Sequence, residues 1–136
     1  MSLSSTPMPA PSDPPLRRIM VVDDDVDGAR SLSRLLERAG YDVVLHHCGG
    51  DAIEAMRAGA VALVILDMDM PVMHGLECLR LIRADAALEG VPVIVYSADS
   101  TSERMTEARR LGAQEFIVKG MIEWADFLLV IERHLR

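Results

Sequence analysis

Five short apolar runs, separated by segments of helical length, constrain the fold of this chain more than any other feature of its sequence. The runs occupy residues 19–22, 41–45, 62–66, 93–96 and 116–118. Most of them are continuously apolar rather than alternating, which is typical of strands that are covered on both faces. The strict alternation of strand and helix predicts a parallel sheet with helices on both faces.

The segments between the runs carry apolar residues at helical spacing. The first helix is predicted to end at Gly40 and the fourth at Gly112. Ser100 with Glu103 has the pattern of a capping box at the start of the fourth helix. The chain is therefore predicted to be an α/β protein with five strands and five helices.

Composition excludes several classes of function. The formal net charge of −7 argues against nucleic-acid binding, which needs a basic face. No apolar run approaches the roughly 20 residues of a membrane span, and the N-terminus lacks the charged-then-apolar pattern of a signal peptide. We therefore expect a cytoplasmic protein in which Cys48 and Cys78 are small buried residues rather than a disulfide.

The 136 residues are enough for one domain. Residues 1–16 are rich in serine and proline, with almost nothing to bury, so we expect a disordered N-terminal extension. The folded domain is expected to span residues 17–136.

Polar residues stand at the ends of four of the five predicted strands. They are Asp23, Asp24 and Asp25 after the first strand, Asp67 after the third, Ser97 after the fourth and Lys119 after the fifth. Ligands of such sheets bind beyond the carboxyl ends of the strands. We therefore expect these side chains to converge on one edge of the sheet.

These residue types suit phosphoryl transfer to a carboxylate. Carboxylates can hold Mg²⁺, which prefers oxygen ligands, and the cation and a lysine neutralise charge on the transferring group. Asp67 would be the nucleophile, and Ser97 can hydrogen-bond a phosphoryl oxygen. Taken singly, Ser97 also fits a turn, Lys119 an exposed surface and Asp25 a helix N-cap. Their joint placement favours the phosphoryl-transfer site.

Four segments, in order and in spacing, resemble the receiver domains of bacterial response regulators. They are IMVVDDD at the first strand, LVILDMDMPVMHGLECL around Asp67, VPVIVYSA at the fourth strand and GAQEFIVK at the fifth. The resemblance implies a flavodoxin-like, doubly wound sheet with strand order 2-1-3-4-5. It also implies a phosphorelay signalling domain of a two-component system rather than an enzyme, with slow autodephosphorylation at most.

The resemblance also implies a role for individual residues at the phosphosite. Asp67 is the expected phosphoacceptor. Asp23 and Asp24 form the expected acid pair, which binds Mg²⁺ together with Asp67 and the backbone carbonyl of Asp69. Gly75 matches the turn that follows the phosphosite.

Partners and switching follow from the same resemblance. The phosphoryl donor is expected to be a sensor histidine kinase or a histidine phosphotransfer protein. Lys119 and Ser97 are expected to bind the phosphoryl group, and Ser97 and Phe116 to act as the switch. Because Leu129 and Val130 add apolar surface to the fifth helix, a homodimer through helix 4, strand 5 and helix 5 is a further hypothesis.

One position departs from the family pattern. Gly120 stands where the family usually has proline after the lysine. Glycine permits many conformations, so we expect the loop after Lys119 to differ in geometry or to be more mobile.

Parts of the sequence are compatible with two alternative functions. A pseudo-receiver, which binds partners without taking phosphate, is disfavoured because Asp24, Asp67, Ser97 and Lys119 are all present. A haloacid-dehalogenase-type phosphatase is suggested by the sequence LDMD at residues 66–69. The acid pair lies upstream of that motif, and the chain is short for that fold.

Overall fold

The computed structural model describes residues 17–47, 49–59, 61–68, 75–98 and 101–135. Within these residues, five parallel strands form one sheet in the order β2-β1-β3-β4-β5. The strands are β1 (Arg18–Val22), β2 (Asp42–His46), β3 (Leu63–Leu66), β4 (Val93–Ser97) and β5 (Glu115–Val118). The predicted fold class and strand order are confirmed.

Five helices alternate with these strands. They are α1 (Val26–Arg38), α2 (Gly49–Ala58), α3 (Gly75–Ala84), α4 (Ser102–Arg110) and α5 (Trp124–His134). Asp25 caps α1, as its sequence position allowed, because its carboxylate accepts a hydrogen bond from Gly28 N at 3.2 Å. None of the described helices is long and apolar enough to cross a membrane.

The predicted capping box at the start of α4 is wrong by one residue. The N-cap is Thr101, whose hydroxyl oxygen accepts a hydrogen bond from Arg104 N at 3.4 Å. Threonine and serine are both good N-caps, so adjacent Ser100 and Thr101 compete for the position. The sequence pattern alone does not separate them.

The sheet separates two apolar layers. One layer lies under α1 and α5 and includes Ile19, Leu36, Ile65 and Phe127. The other lies under α2 and α3. The three inner strands, β1, β3 and β4, are almost entirely buried, whereas β2 is half-exposed at the edge. Burial on both faces explains why the inner strands read as continuous apolar runs.

Helix α5 packs through the apolar face expected for it. Phe127 and Ile131 are buried, and Trp124 packs against the same layer. Leu129 is 63 % exposed, as expected for surplus apolar surface. Val130 is partly buried against the layer rather than adding exposed surface.

Some sequence predictions concern residues outside the described ranges. These are the extension at residues 1–16, Cys48, Asp69 and Ser100. Cys78 is described, and it is a free, buried thiol whose pKa is raised to about 12 by burial. Cys78 is therefore the small buried residue that the sequence predicted.

Gly75 brings α3 into contact with the backbone that follows β3. Its N–H donates to Met68 O at 2.9 Å. A Cβ at this position would lie 2.5 Å from Met68 Cα and closer still to the carbonyl oxygen of Asp67. Both neighbours are backbone atoms, which cannot rotate away. The backbone of Asp67 therefore keeps its place only if residue 75 has no side chain.

We predict that Gly75→Ala destabilises the fold by about 1–3 kcal/mol, the usual cost of overpacking. Gly50→Ala is the matched control, since Gly50 is also helical but has open space where a Cβ would be. We expect this control to be neutral or stabilising by up to about 1 kcal/mol. Urea unfolding of both variants measures the difference. Equal stabilities would contradict the proposed close approach.

The segment after β5 forms a hydrogen-bonded turn. Met121 N donates to Val118 O at 3.1 Å, and Gly120 has a φ of 81°. This combination is typical of a type II turn, in which the third residue has φ near +80°. Proline fixes φ near −65° and cannot occupy that position. Glycine at residue 120 is therefore matched to a turn that the family proline could not form.

We predict that Gly120→Ala destabilises the protein by about 1–2 kcal/mol, because a side chain disfavours left-handed backbone. Gly120→Pro is expected to cost more. Gly90→Ala is the control, because Gly90 has no positive φ and open space around it; its effect should stay within about 0.5 kcal/mol. Denaturant midpoints test this, and a Gly120→Ala variant as stable as Gly90→Ala would disprove the turn.

Candidate functional site

Three aspartates meet where β1 and β3 end. Asp23 and Asp24 follow β1, and Asp67 follows β3, whose end is tied to β1 by a hydrogen bond from Asp67 N to Val22 O at 2.9 Å. One carboxylate oxygen from each aspartate lies within 4.8 Å of the others. Asp23 and Asp67 are each only 6 % exposed, whereas Asp24 is exposed. The cluster is therefore open to solvent on the Asp24 side.

Lys119 reaches into this cluster from the end of β5. Its Nζ donates to Asp23 Oδ2 at 2.7 Å and lies 3.8 Å from Asp67 Oδ1. The other oxygen of Asp23, Oδ1, accepts a hydrogen bond from Asp25 N at 2.9 Å. Both oxygens of Asp23 are thus engaged, and the lysine bridges strands that are not neighbours in the sheet.

The surroundings of Lys119 keep it protonated. Burial by itself lowers the pKa of Lys119, but the hydrogen bond to Asp23 and the charges of Asp23, Asp67 and Asp25 outweigh it. The net pKa lies above the ordinary lysine value of 10.5. The stabilisation from this ion pair is therefore fully present below pH 10.5 and is lost as the pH rises through the higher folded-state pKa.

The cluster suits a divalent cation. Three carboxylates against one ammonium group leave two negative charges in a largely buried space. Carboxylate oxygens are the ligands that Mg²⁺ prefers. Both oxygens of Asp23 accept hydrogen bonds, and Asp24 lies on the solvent-exposed side of the cluster, where it is open to an incoming ion. The chemistry of the donor set thus fits the ion that the sequence predicted.

Ser97 and Phe116 lie on the side of the site away from Asp23. Ser97 is fully buried at the end of β4, and its carbonyl oxygen accepts a hydrogen bond from Lys119 N at 2.9 Å. Phe116, on the neighbouring strand β5, is half-buried and packs with Met68, Val95 and Ala108. Ala108 belongs to α4, so this aromatic ring connects β5 to that helix.

The structure gathers most of the residues that the sequence singled out. Asp23, Asp24, Asp67 and Lys119 lie within a few ångströms of one another. Ser97 ends the neighbouring strand. Asp69 lies outside the described residues, so its carbonyl remains a prediction.

Two residues near the site were missed by sequence reasoning. His47 Nδ1 lies 3.0 Å from the carbonyl oxygen of Asp23, to which a protonated Nδ1 donates. The ring of Tyr96 lies beneath Lys119, with its centroid 5.6 Å from Nζ. Tyr96 precedes Ser97 on β4, and because side chains alternate between faces along a strand, its position did not suggest a contact with the site.

Comparison with known proteins agrees with this architecture. The family model for the response regulator receiver domain matches residues 19–127. The CAI-1 autoinducer sensor kinase/phosphatase CqsS of Vibrio cholerae serotype O1 is 36 % identical over 104 residues, which is 76 % of this chain and 15 % of that protein. The DNA-binding response regulator MtrA of Mycolicibacterium paratuberculosis is 34 % identical over 103 residues, which is 76 % of this chain and 44 % of that protein. The chain thus spans less than half the length of these two relatives.

Solved structures show the same fold. A CheY-like receiver domain protein from Methanospirillum hungatei has a TM-score of 0.81 and 26 % identity, covering 88 % of this chain and 93 % of that one. The chemotaxis protein CheY4 of Vibrio cholerae has a TM-score of 0.79 and 25 % identity, covering 85 % of this chain and 96 % of that one. Together with its strand order and acidic cluster, these matches show that the chain belongs to the response regulator receiver domain family of two-component signalling.

Proposed function

We propose that this domain accepts a phosphoryl group on Asp67, with Mg²⁺, from a sensor histidine kinase or a histidine phosphotransfer protein in the cytoplasm. The observation that carries the proposal is the position of Lys119 Nζ. It lies 2.7 Å from Asp23 and 3.8 Å from Asp67, within a cluster of three carboxylates. In this proposal Asp67 is the nucleophile, the three carboxylates form the cation site and Lys119 supplies the positive charge that meets the phosphoryl group.

The proposed reaction transfers a phosphoryl group from a phosphohistidine to Asp67. An oxygen of the Asp67 carboxylate forms a bond to phosphorus, the phosphorus–nitrogen bond of phosphohistidine breaks, and the leaving imidazole takes up a proton. When bound, Mg²⁺ supplies charge neutralisation for the transferring group. Asp24 and Asp67, with the backbone carbonyl of Asp69, would hold the ion, and Asp23 would orient Lys119. The lysine then attracts the phosphoryl oxygens.

The product changes the charge balance beside Lys119. A phosphoryl group adds about −1.5 to −2 charges and three acceptor oxygens. Lys119 and the hydroxyl of Ser97 turn toward those oxygens. Because Phe116 packs against Ala108, a shift of Ser97 and Phe116 is transmitted to α4. Ala108 is the one buried residue of α4, so that helix is weakly anchored and suited to moving.

We predict that acetyl phosphate with Mg²⁺ adds the mass of one phosphoryl group to the protein and that Asp67→Ala abolishes the increase. Intact-protein mass spectrometry measures it. Asp85→Ala is a control carboxylate outside the site, paired instead with Arg57, and should label like wild type. Removal of Mg²⁺ with a chelator should slow labelling strongly, because the cluster then keeps its uncompensated negative charge.

Two results would refute this function in different ways. No mass increase in the wild type would indicate a pseudo-receiver. Repeated turnover of a general phosphatase substrate would indicate the haloacid-dehalogenase-type enzyme. A receiver should label once and show little turnover.

Phosphorylation is also proposed to promote a homodimer through α4, β5 and α5. The support is Leu129, which leaves 63 % of its surface exposed on α5. An exposed leucine is stabilised when a partner covers it, because apolar surface is removed from water.

We expect beryllofluoride, a phosphoryl mimic, to shift sedimentation of the wild type toward a dimer and to leave Leu129→Glu monomeric. Leu81→Glu is the matched control, because Leu81 is also exposed but lies on α3. Identical sedimentation with and without beryllofluoride would disprove the dimer while leaving the phosphoacceptor function intact.

A further inference from the structure

The Lys119 ammonium group lies over the aromatic ring of Tyr96. The Nζ atom lies over the ring, 5.6 Å from its centroid. Cations within about 6 Å of a ring centroid are attracted by the negative face of the ring. Lys119 therefore has two kinds of partner, the Asp23 carboxylate and the Tyr96 ring.

The ring of Tyr96 is itself held in place by α5. Its centroid lies 5.0 Å from that of Phe127, at an interplanar angle of 52°. Phe127 in turn meets Trp124 edge-on, with centroids 5.8 Å apart. Tilted and edge-to-face geometries are the favourable ones for aromatic pairs. The Tyr96 ring beneath the lysine is thus part of the packed layer under α5.

Lys119 is the only lysine in the chain, beside thirteen arginines. A lysine side chain has a flexible stem with several rotatable bonds, so its head group needs fixed partners. The turn that follows it depends on Gly120, with φ of 81°, and glycine does not stiffen the chain. Restraint on the ammonium must then come from its side-chain contacts.

We propose that Tyr96 is a positioning residue for phosphoryl transfer to Asp67, because its ring holds the Lys119 ammonium at the sheet edge. This proposal rests on the phosphoacceptor function proposed above. The carboxylate of Asp23 repels an incoming phosphoryl group, and the ring carries no net charge. The ring therefore retains the lysine without opposing the anion that the lysine must meet.

Tyr96 also fills space in the apolar layer, and that role alone would explain its burial. Substitutions distinguish the packing role from the positioning role. Tyr96→Phe keeps the ring and removes only the hydroxyl. Tyr96→Leu keeps an apolar side chain and removes the ring. Ile131→Val loosens the same apolar layer but removes neither the Tyr96 ring nor the Phe127 ring that packs against it.

The first test is the rate of Asp67 phosphorylation by acetyl phosphate with Mg²⁺ in these three variants. We expect Tyr96→Phe to stay within about twofold of wild type, and Tyr96→Leu to be slower by about two- to fivefold, which corresponds to roughly 0.5–1 kcal/mol. Ile131→Val should be less stable yet label near the wild-type rate. If Ile131→Val slows labelling as much as Tyr96→Leu, general loss of packing explains both and the proposal fails.

The second test does not depend on phosphorylation. Because the chain has one lysine, protein labelled with ¹³C at lysine Cε gives one Cε–Hε signal in an NMR spectrum. The Tyr96 ring current should displace this signal in the wild type and in Tyr96→Phe, and the displacement should be lost in Tyr96→Leu. An unchanged signal in Tyr96→Leu would overturn the proposal. A wild type that takes no phosphoryl group, with the signal displaced as expected, would instead refute the proposed function.

Discussion

The crowding of like charges at one edge of the sheet is the constraint on which the site depends. Asp23 and Asp67 are almost fully buried, and Asp24 stands beside them. Buried like charges repel strongly unless an opposite charge is close. Lys119 supplies one such charge at 2.7 Å from Asp23. The two negative charges that remain are those that the proposed Mg²⁺ would balance, and this is the electrostatic basis of the proposed chemistry.

Two glycines fix the backbone positions of these charged residues. Gly75 lets α3 approach the backbone of Asp67 more closely than any side chain allows. Gly120 lets the chain leave Lys119 through a tight turn. Neither glycine belongs to the acidic cluster. Gly75 nevertheless fixes the backbone position of Asp67, and Gly120 fixes that of Lys119. At Gly120 a positive φ lets this turn form beside the acidic cluster, and proline, which fixes φ near −65°, could not adopt it.

The sequence predicted the fold and most of the candidate site because both depend on regular spacing. Continuous apolar runs identified the inner strands, and the residues after them had to meet at one edge, as Asp23, Asp67 and Lys119 do. Local choices between equivalent residues were less predictable. Thr101 caps α4, whereas the sequence pattern pointed to Ser100, because both side chains can accept the same kind of hydrogen bond.

By itself, the sequence determined which residues stand at the strand ends, since strand and helix periods place them without reference to distant neighbours. Only the tertiary structure decided how those residues pair. Lys119 makes its close hydrogen bond to Asp23 rather than to Asp67, and its ammonium rests over Tyr96. These contacts join β5 to β1 and β4 across the sheet. Their distances depend on how the strands twist and pack together, which no local pattern encodes.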